Sequence, residues 1–201
     1  MDRIILMTVG VSLVALFLSA CATVKPRGYL ENYDQLKSGR YIERFWSDPD
    51  KIAQGQYKRI VIGQIEARVA DSVIITREET CNWLRSAIFR GDISIKHVAF
   101  GAETGKKARL DLTITEMTPG SAFARMVAGE LGAGHAWVQI EGRVTDEESG
   151  VLLVSFADRR RGSGAVGFRD LGGDSGPAMV HEMITAIGFG IRSELDHTFG
   201  L

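Results

Sequence analysis

The residue pattern with the most definite chemistry is Leu18-Ser19-Ala20-Cys21, near the start of the chain. The Cys21 thiol is a nucleophile that can be linked covalently to a lipid, and it directly follows two small side chains. The run Ile4–Leu18 before it is almost wholly apolar. As a helix this run would reach only about 22 Å, short of the roughly 30 Å hydrocarbon core of a bilayer. The pattern therefore predicts a secretory leader rather than a mature transmembrane helix.

This arrangement resembles the lipobox of bacterial lipoproteins, and the resemblance implies a role for each residue. Leu18, Ser19 and Ala20 would be recognised by the signal peptidase, and Cys21 would carry diacylglycerol on its thiol and an acyl chain on its new amine. More than one acyl chain makes membrane anchoring stable. Residue 22 is Ala, which resembles outer-membrane sorting in enteric-type bacteria. The alternatives are a plain signal peptide with an incidental Cys, or an uncleaved anchor helix.

The lipobox divides the chain into three predicted parts. Residues 1–20 are the signal peptide, residues 21–28 the lipidated Cys and a short tether, and residues 29–201 a single periplasmic domain. An extended tether of this length spans at most about 25 Å, so we expect the domain to stay close to the membrane. The expected location is the outer membrane, with the domain facing the periplasm.

The composition is that of a globular protein, with 45% hydrophobic and 24% charged residues. A net charge of −1 argues against a general polyanion binder, and a periplasmic location removes nucleic acid as a partner. Because Cys21 would carry lipid, Cys81 has no cysteine left for an intramolecular disulfide. Its position on the apolar face of a predicted helix indicates a small core residue rather than a reactive thiol.

The hydrophobic pattern predicts an α+β domain. Strand patterns occur in five segments, at 59–65, 93–100, 109–115, 136–144 and 151–157. One helix is predicted to begin at Thr76, with capping-box spacing to Glu79, and to end at Gly91. A second runs from Ser175 to Leu195. This order favours a mainly antiparallel sheet of about five strands, with two helices packed on one face.

The remaining segments fall outside this pattern. Residues 28–37 and 41–46 are expected to form an extended arm whose aromatic side chains dock on the domain, and residues 47–50 a turn. Residues 117–134 fit either a glycine-weakened helix or an ordered loop. Residues 162–176 are rich in glycine and fit a mobile loop.

One short motif suggests hydrolysis but is better explained by structure. Gly173-Asp174-Ser175-Gly176 resembles the nucleophile motif of chymotrypsin-like serine proteases, but the likeness covers only these four residues. An Ala-His-Cys setting and an all-β double barrel are not evident. We expect Ser175 to cap the helix that contains Pro177. The same helix start could bind a phosphate or carboxylate, although simple capping is favoured.

The sequence gives little reason to expect a cofactor or metal. Single, scattered histidines occur at positions 97, 135, 181 and 197. His181-Glu182 lacks the second histidine that a zinc-binding helix needs four residues further on. No Cys/His/Asp cluster has ligand spacing, so neither a metal nor another cofactor is expected.

A run of three arginines ends the last predicted strand. Arg159, Arg160 and Arg161 could contact anionic lipid head groups or the phosphates of lipopolysaccharide. The favoured interpretation is a solvated strand end, with Asp158 and Asp170 as neighbours.

Short motifs in the mature part resemble a family of uncharacterised Gram-negative lipoproteins. They are Gly28-Tyr29-Leu30, Tyr33-Asp34, Leu36-Lys37, Tyr57, Ile60-Val61-Ile62, Asp111-Leu112-Thr113, Pro119-Gly120, Gly132-Ala133-Gly134, Ile140-Glu141-Gly142, Asp146, Gly150 and Asp158-Arg159-Arg160. The family is a domain of unknown function and implies no substrate. More distantly, the order of elements looks like the small α/β domains of envelope lipoproteins that assist other machines. Examples are the N-terminal domain of the Tol-system β-propeller protein, the activators of peptidoglycan synthases and the curli secretion lipoprotein.

With strong anchoring and no convergent catalytic set, the leading expectation is a non-enzymatic, membrane-tethered domain that binds a protein or another envelope component. The alternative is a carrier of a lipid or small apolar ligand, in a pocket between the sheet and the C-terminal helix. That alternative is motivated by Met179, Met183 and Phe189 on adaptable helix faces. An enzyme is the third hypothesis.

Overall fold

The computed structural model describes residues 23–70, 75–90, 99–120, 135–162 and 175–201. Six strands lie in the described part: β1 (Arg44–Ser47), β2 (Tyr57–Ala67), β3 (Ala99–Gly101), β4 (Lys106–Thr118), β5 (Ala136–Asp146) and β6 (Leu152–Gly162). The described helices are α1 (Pro49–Gly55), α2 (Arg77–Ile88) and α3 (Ser175–Phe199), with a single 3₁₀ turn at Tyr33–Gln35. The predicted α+β class is confirmed.

The strands form one mixed sheet in the order β1-β6-β5-β4-β2-β3. Every pair of neighbours is antiparallel except β2 and β4, which run parallel. A parallel pair needs a crossover connection, and here the chain between β2 and β4 contains α2 and β3. The predicted sheet of about five mainly antiparallel strands is therefore close but wrong in strand number and in this parallel pair.

Two short elements were missed, the edge strand β1, which depends on a distant partner strand, and the helix α1. Residues 44–47, predicted to belong to an extended arm, form the edge strand β1 beside β6, and Phe45 packs on the core. The turn predicted at 47–50 leads into α1, which Asp48 caps by accepting a hydrogen bond from the Lys51 N–H at 3.1 Å. The chain thus has three described helices rather than two.

One face of the sheet carries the apolar core, covered by α2 and α3. Helix α3 buries the side chains Val180, Ile184, Ile187, Ile191 and Leu195. Gly188 allows α2 to approach closely, because a Cβ at this position would lie 2.5 Å from that of Ala87. The predicted capping box of α2 is confirmed, since Thr76 and Glu79 each accept the other's backbone N–H.

Cys81 lies at the margin of the buried face of α2 and is only half-buried. The fully buried position beside it is occupied by Thr80, whose hydroxyl donates to the Arg77 carbonyl at 2.7 Å. Burial raises the pKa of the Cys81 thiol, which keeps it protonated and unreactive near neutral pH. The predicted buried positions Leu84, Ala87 and Ile88 are confirmed, and only Cys81 is replaced at this face, by Thr80.

A buried polar cluster fastens the β5–β6 turn to β2 and β4. The Asp146 carboxylate accepts the Tyr57 hydroxyl at 2.5 Å and pairs with the Lys106 ammonium at 2.6 Å. It also accepts the Ser149 N–H at 2.8 Å, which closes the turn. The hydrogen bonds from Lys106 and Tyr57 hold the pKa of Asp146 far below its usual range.

We expect Asp146→Asn to lower the free energy of unfolding at pH 7 by about 2 kcal/mol, since hydrogen bonds to a charged acceptor are lost. A carboxyl whose pKa is lower in the folded state stabilises the fold above its unfolded pKa, near ~4. That contribution falls as the pH drops below this value. The difference between wild type and variant, measured by denaturant unfolding, should therefore shrink below pH 4.

The matched control is Glu148→Gln, which removes an exposed carboxylate from the same turn. It should change stability little at either pH. An Asp146→Asn deficit that is as large at pH 3 as at pH 7 would contradict the role of the charge.

Candidate functional site

The second face of the sheet is polar, and the N-terminal arm, Thr23–Leu36, lies across it. Alternation along the strands puts Gln139 and Glu141 of β5, Arg159 of β6 and Thr113 of β4 on this face. All four side chains are buried. Polar faces of antiparallel sheets commonly meet water, but here the arm takes the place of water.

Gln139 binds the backbone of the arm through both ends of its amide group. Its Oε1 accepts the Lys25 N–H at 2.9 Å, and its Nε2 donates to the Lys25 carbonyl at 2.6 Å. One residue earlier, the Val24 N–H donates to Glu43 Oε1 at 2.8 Å. Backbone groups of the arm are thus satisfied by side chains of the domain, as buried backbone groups must be.

The Tyr33 hydroxyl connects an earlier part of the arm, at Arg27 and Gly28, to the sheet at Glu141. It donates a short hydrogen bond to Glu141 and accepts the N–H groups of Arg27 and Gly28, each at 3.0 Å. Glu141 also accepts the Thr115 hydroxyl at 2.8 Å. Burial, followed by the hydrogen bond to Glu141, raises the pKa of Tyr33. The phenol therefore stays protonated as the donor at neutral pH.

An ion-pair network closes the same region. Arg159 makes two hydrogen bonds to the Glu116 carboxylate, at 3.0 and 3.2 Å, and Arg27 of the arm pairs with Glu116 at 3.0 Å. Burial opposes ionisation of Glu116, but the hydrogen bonds from Arg159 and Arg27 outweigh it and lower the pKa. The Arg159 guanidinium also lies 3.9 Å from the centre of the Trp137 ring.

The aromatic and apolar residues of the arm dock on the sheet, as the sequence predicted. Leu30 and Leu36 are buried against Ala157. The Tyr29 ring lies near the guanidinium groups of Arg68 and Arg143, at 5.3 and 5.4 Å. Burial raises the pKa of the Tyr29 hydroxyl. The arm is therefore held by apolar contacts of Leu30 and Leu36 as well as by the polar contacts of Lys25 and Tyr33.

The lipobox residues Leu18, Ser19, Ala20 and Cys21 lie outside the described residues. Lipidation and the division into 1–20, 21–28 and 29–201 therefore remain predictions. The structure adds one fact about the predicted tether: from Val24 onward it is bound to the domain. The part of the tether that could extend away from the domain is therefore shorter than the whole segment 21–28.

The three consecutive arginines do not form one patch, because neighbouring side chains on a strand point to opposite faces. Arg159 is 5% exposed and belongs to the arm site, the group formed by Glu116, Gln139, Glu141 and Arg159 on the face that the arm crosses. Arg160, on the other face, pairs with Asp158 at 2.9 Å and donates to the Tyr41 carbonyl at 3.3 Å. Arg161 lies 2.5 Å from a ring nitrogen of His135. Their contact with anionic lipid remains a prediction.

The other singled-out residues are dispersed. His97 and the Gly173-Asp174 pair lie outside the described residues, and Ser175 begins α3. His181 packs against the Trp83 ring at 4.9 Å. Within the described ranges, no group of three His, Cys, Asp or Glu side chains is placed to hold a metal ion. Nor is any described helix both long and apolar enough to cross a membrane.

An open cavity of about 850 Å³ lies where β1, α1 and the start of β2 meet the end of α3. Its lining includes apolar Phe45, Ile52 and Phe199 together with cationic Arg40 and Lys58. Two of the residues that motivated a predicted pocket, Met179 and Met183, line a separate open cavity of about 450 Å³ between the end of β6 and α3. The third, Phe189, is 44% exposed.

The arm site was not identified from the sequence. Gln139 and Glu141 match the polar positions of a half-buried strand, which are normally solvated. The one available signal was the aromatic content of the arm, which predicted docking but not the surface that receives it.

No protein-family model matches the chain. No curated protein matches it either. Several solved structures are similar to it, among them the following three. A dodecameric variant of PelC from Paraburkholderia phytofirmans is 11% identical with a TM-score of 0.41, over 78% of this chain and 94% of that one. Protein XCC0632 from Xanthomonas campestris, of family DUF330, is 11% identical with a TM-score of 0.45, over 71% and 85%. Hypothetical protein CT253 from Chlamydia trachomatis is 9% identical with a TM-score of 0.37, over 70% and 95%. Likenesses at this level assign neither a family nor an activity to the chain.

We expect Tyr33→Phe to lower the free energy of unfolding by about 1–3 kcal/mol, because buried Glu141 loses a donor. Denaturant unfolding of the chain without its lipid measures the change. The matched control is Tyr41→Phe, since the Tyr41 side chain is 43% exposed and its hydroxyl makes no hydrogen bond among the described residues. Equal effects of the two substitutions would contradict the proposed role of the Tyr33 hydroxyl.

Proposed function

We propose that this protein is a lipid-anchored lipoprotein of the cell envelope that binds a protein or another envelope component without catalysing a reaction. The observation that carries the proposal is the docked arm. Only Ala22 and Thr23 separate the predicted lipidated Cys21 from Val24, where binding to the sheet begins. A domain anchored in this way is held at the periplasmic side of the outer membrane. Its partner would be an envelope component within reach of that position.

A non-catalytic role is supported by the partners of two carboxylates whose pKa is lowered in the fold. Asp146 is bound by Tyr57 and Lys106, and Glu116 by Arg159 and Arg27. Structural ion pairs perturb pKa values as catalytic sites do. Here both groups are engaged by side chains that hold elements of the fold together.

A second candidate function, the carrier of an amphiphilic ligand, is favoured by the open cavity. Apolar side chains line it together with cationic Arg40 and Lys58. The one carboxylate of the lining, Glu194, is buried and accepts the backbone N–H groups of Arg40 and Tyr41. Such a lining suits an acidic head group with an apolar tail. Native mass spectrometry of the purified protein distinguishes the two: a co-purified amphiphile favours the carrier, and its absence favours the binding domain.

We expect Cys21→Ala, expressed behind a leader that is cleaved without lipidation, to move the protein from the membrane fraction to the soluble periplasmic fraction, because both acyl attachment points are lost. Fractionation followed by cross-linking in intact cells measures location and partner together. The matched control, Cys81→Ala, should remain at the membrane and keep its cross-linked partner.

The anchor would be contradicted by Cys21→Ala protein that still floats with membranes after a high-salt wash. Cross-linking of the wild type that recovers no envelope partner would contradict the proposed binding role.

A further inference from the structure

We propose that the flank of the domain beside β1, formed by Arg40, Tyr41 and Arg160, lies against the membrane and contacts anionic lipid head groups. The name β1 flank refers to these three residues. The inference rests on the proposed lipid anchor and adds to it the orientation of the domain. The partner is a phospholipid surface.

The position where the arm leaves the sheet is fixed by two hydrogen bonds. The Val24 N–H donates to Glu43 Oε1 at 2.8 Å, and the Glu43 N–H donates to Asp158 Oδ1 at 3.2 Å. Glu43 directly precedes the edge strand β1. The chain therefore reaches the sheet at its β1 edge, beside Glu43, which is two residues from Tyr41.

The length of chain before Val24 limits how far this edge can be from a bilayer. Ala22 and Thr23 are the only residues between Val24 and Cys21. Fully extended, this connection reaches about 10 Å. Acyl chains on Cys21 can enter a bilayer only if the β1 edge lies close to the bilayer surface.

The β1 flank has the side chains that suit such a surface. The Tyr41 side chain is 43% exposed, and the Arg40 guanidinium lies 5.5 Å from its ring centre. The Tyr41 carbonyl accepts from Arg160 Nη2 at 3.3 Å, which places a second guanidinium beside it. Aromatic and cationic side chains are enriched where proteins meet the membrane–water interface.

Charge on the flank favours anionic lipid. The Arg40 guanidinium has no carboxylate within ion-pair distance among the described residues, while Arg160 pairs with Asp158. Asp158 is buried, as is Glu194, which accepts the backbone N–H groups of Arg40 and Tyr41, so the guanidinium groups are the charges nearer to the surface. Cations close to an anionic bilayer are attracted to it. Of the three consecutive arginines, Arg160 is placed on this flank by its hydrogen bond to the Tyr41 carbonyl, whereas Arg159 is buried on the opposite face of the sheet.

The test uses the full lipidated protein in liposomes of phosphatidylethanolamine and phosphatidylglycerol, in a Cys81→Ser background. A fluorophore is attached through Tyr41→Cys or, as the matched control, through Glu148→Cys in the turn at the far end of β5 and β6. Quenching by lipids with a nitroxide on the head group reports which end meets the bilayer. We expect quenching to be several-fold stronger at position 41 than at position 148.

The outcomes separate the orientation from the anchor. Protein that does not float with the liposomes overturns the lipid anchor itself. Protein that floats but is quenched equally at both positions, or more at position 148, overturns the orientation and leaves the anchor intact. Unchanged quenching at position 41 in liposomes of phosphatidylcholine alone overturns the preference for anionic head groups.

A third variant tests whether the docked arm sets the orientation. Gln139→Ala combined with Tyr33→Phe removes the contacts that hold the arm but leaves Cys21 in place. We expect flotation to persist and the difference in quenching between positions 41 and 148 to disappear. Circular dichroism checks that the variant is folded. A folded variant that keeps the full difference overturns the role of the arm.

Discussion

The arrangement of this domain depends on the burial of Gln139 and Glu141 at the centre of β5. A polar side chain removed from water is costly unless hydrogen-bonded partners replace the water. Strand alternation forces both side chains onto the face opposite the apolar core. The arm supplies partners through the Lys25 backbone and the Tyr33 hydroxyl. The arm is therefore part of the fold, and the polar face is stable because the arm covers it.

This constraint changes the meaning of a short N-terminal connection. A free tether from Cys21 to Gly28 would give the domain about 25 Å of reach and free rotation. With Val24 and Lys25 bound, rotation about the connection is restricted, and one edge of the sheet would face an anchor at Cys21.

The parts of the fold that the sequence predicted are those determined by local pattern. Leu110, Leu112 and Ile114 alternate with polar residues and lie in β4, and the Thr76–Glu79 capping box begins α2. Strand β1 was missed because its stability comes from pairing with β6, more than a hundred residues away. The arm site was missed for the same reason. Local pattern shows that Gln139 faces away from the core, but it does not show that Lys25 covers it.

The most direct test of the docked arm is amide hydrogen exchange of the Lys25 N–H, followed by NMR in the chain without its lipid. Docking predicts slow exchange in the wild type, because this N–H is bound to Gln139. It also predicts that Gln139→Ala speeds that exchange at least about tenfold, a loss of roughly 1.4 kcal/mol of protection, while Leu110 in the central sheet is unaffected. Exchange of the wild-type Lys25 amide at the rate of an unstructured peptide would contradict the account.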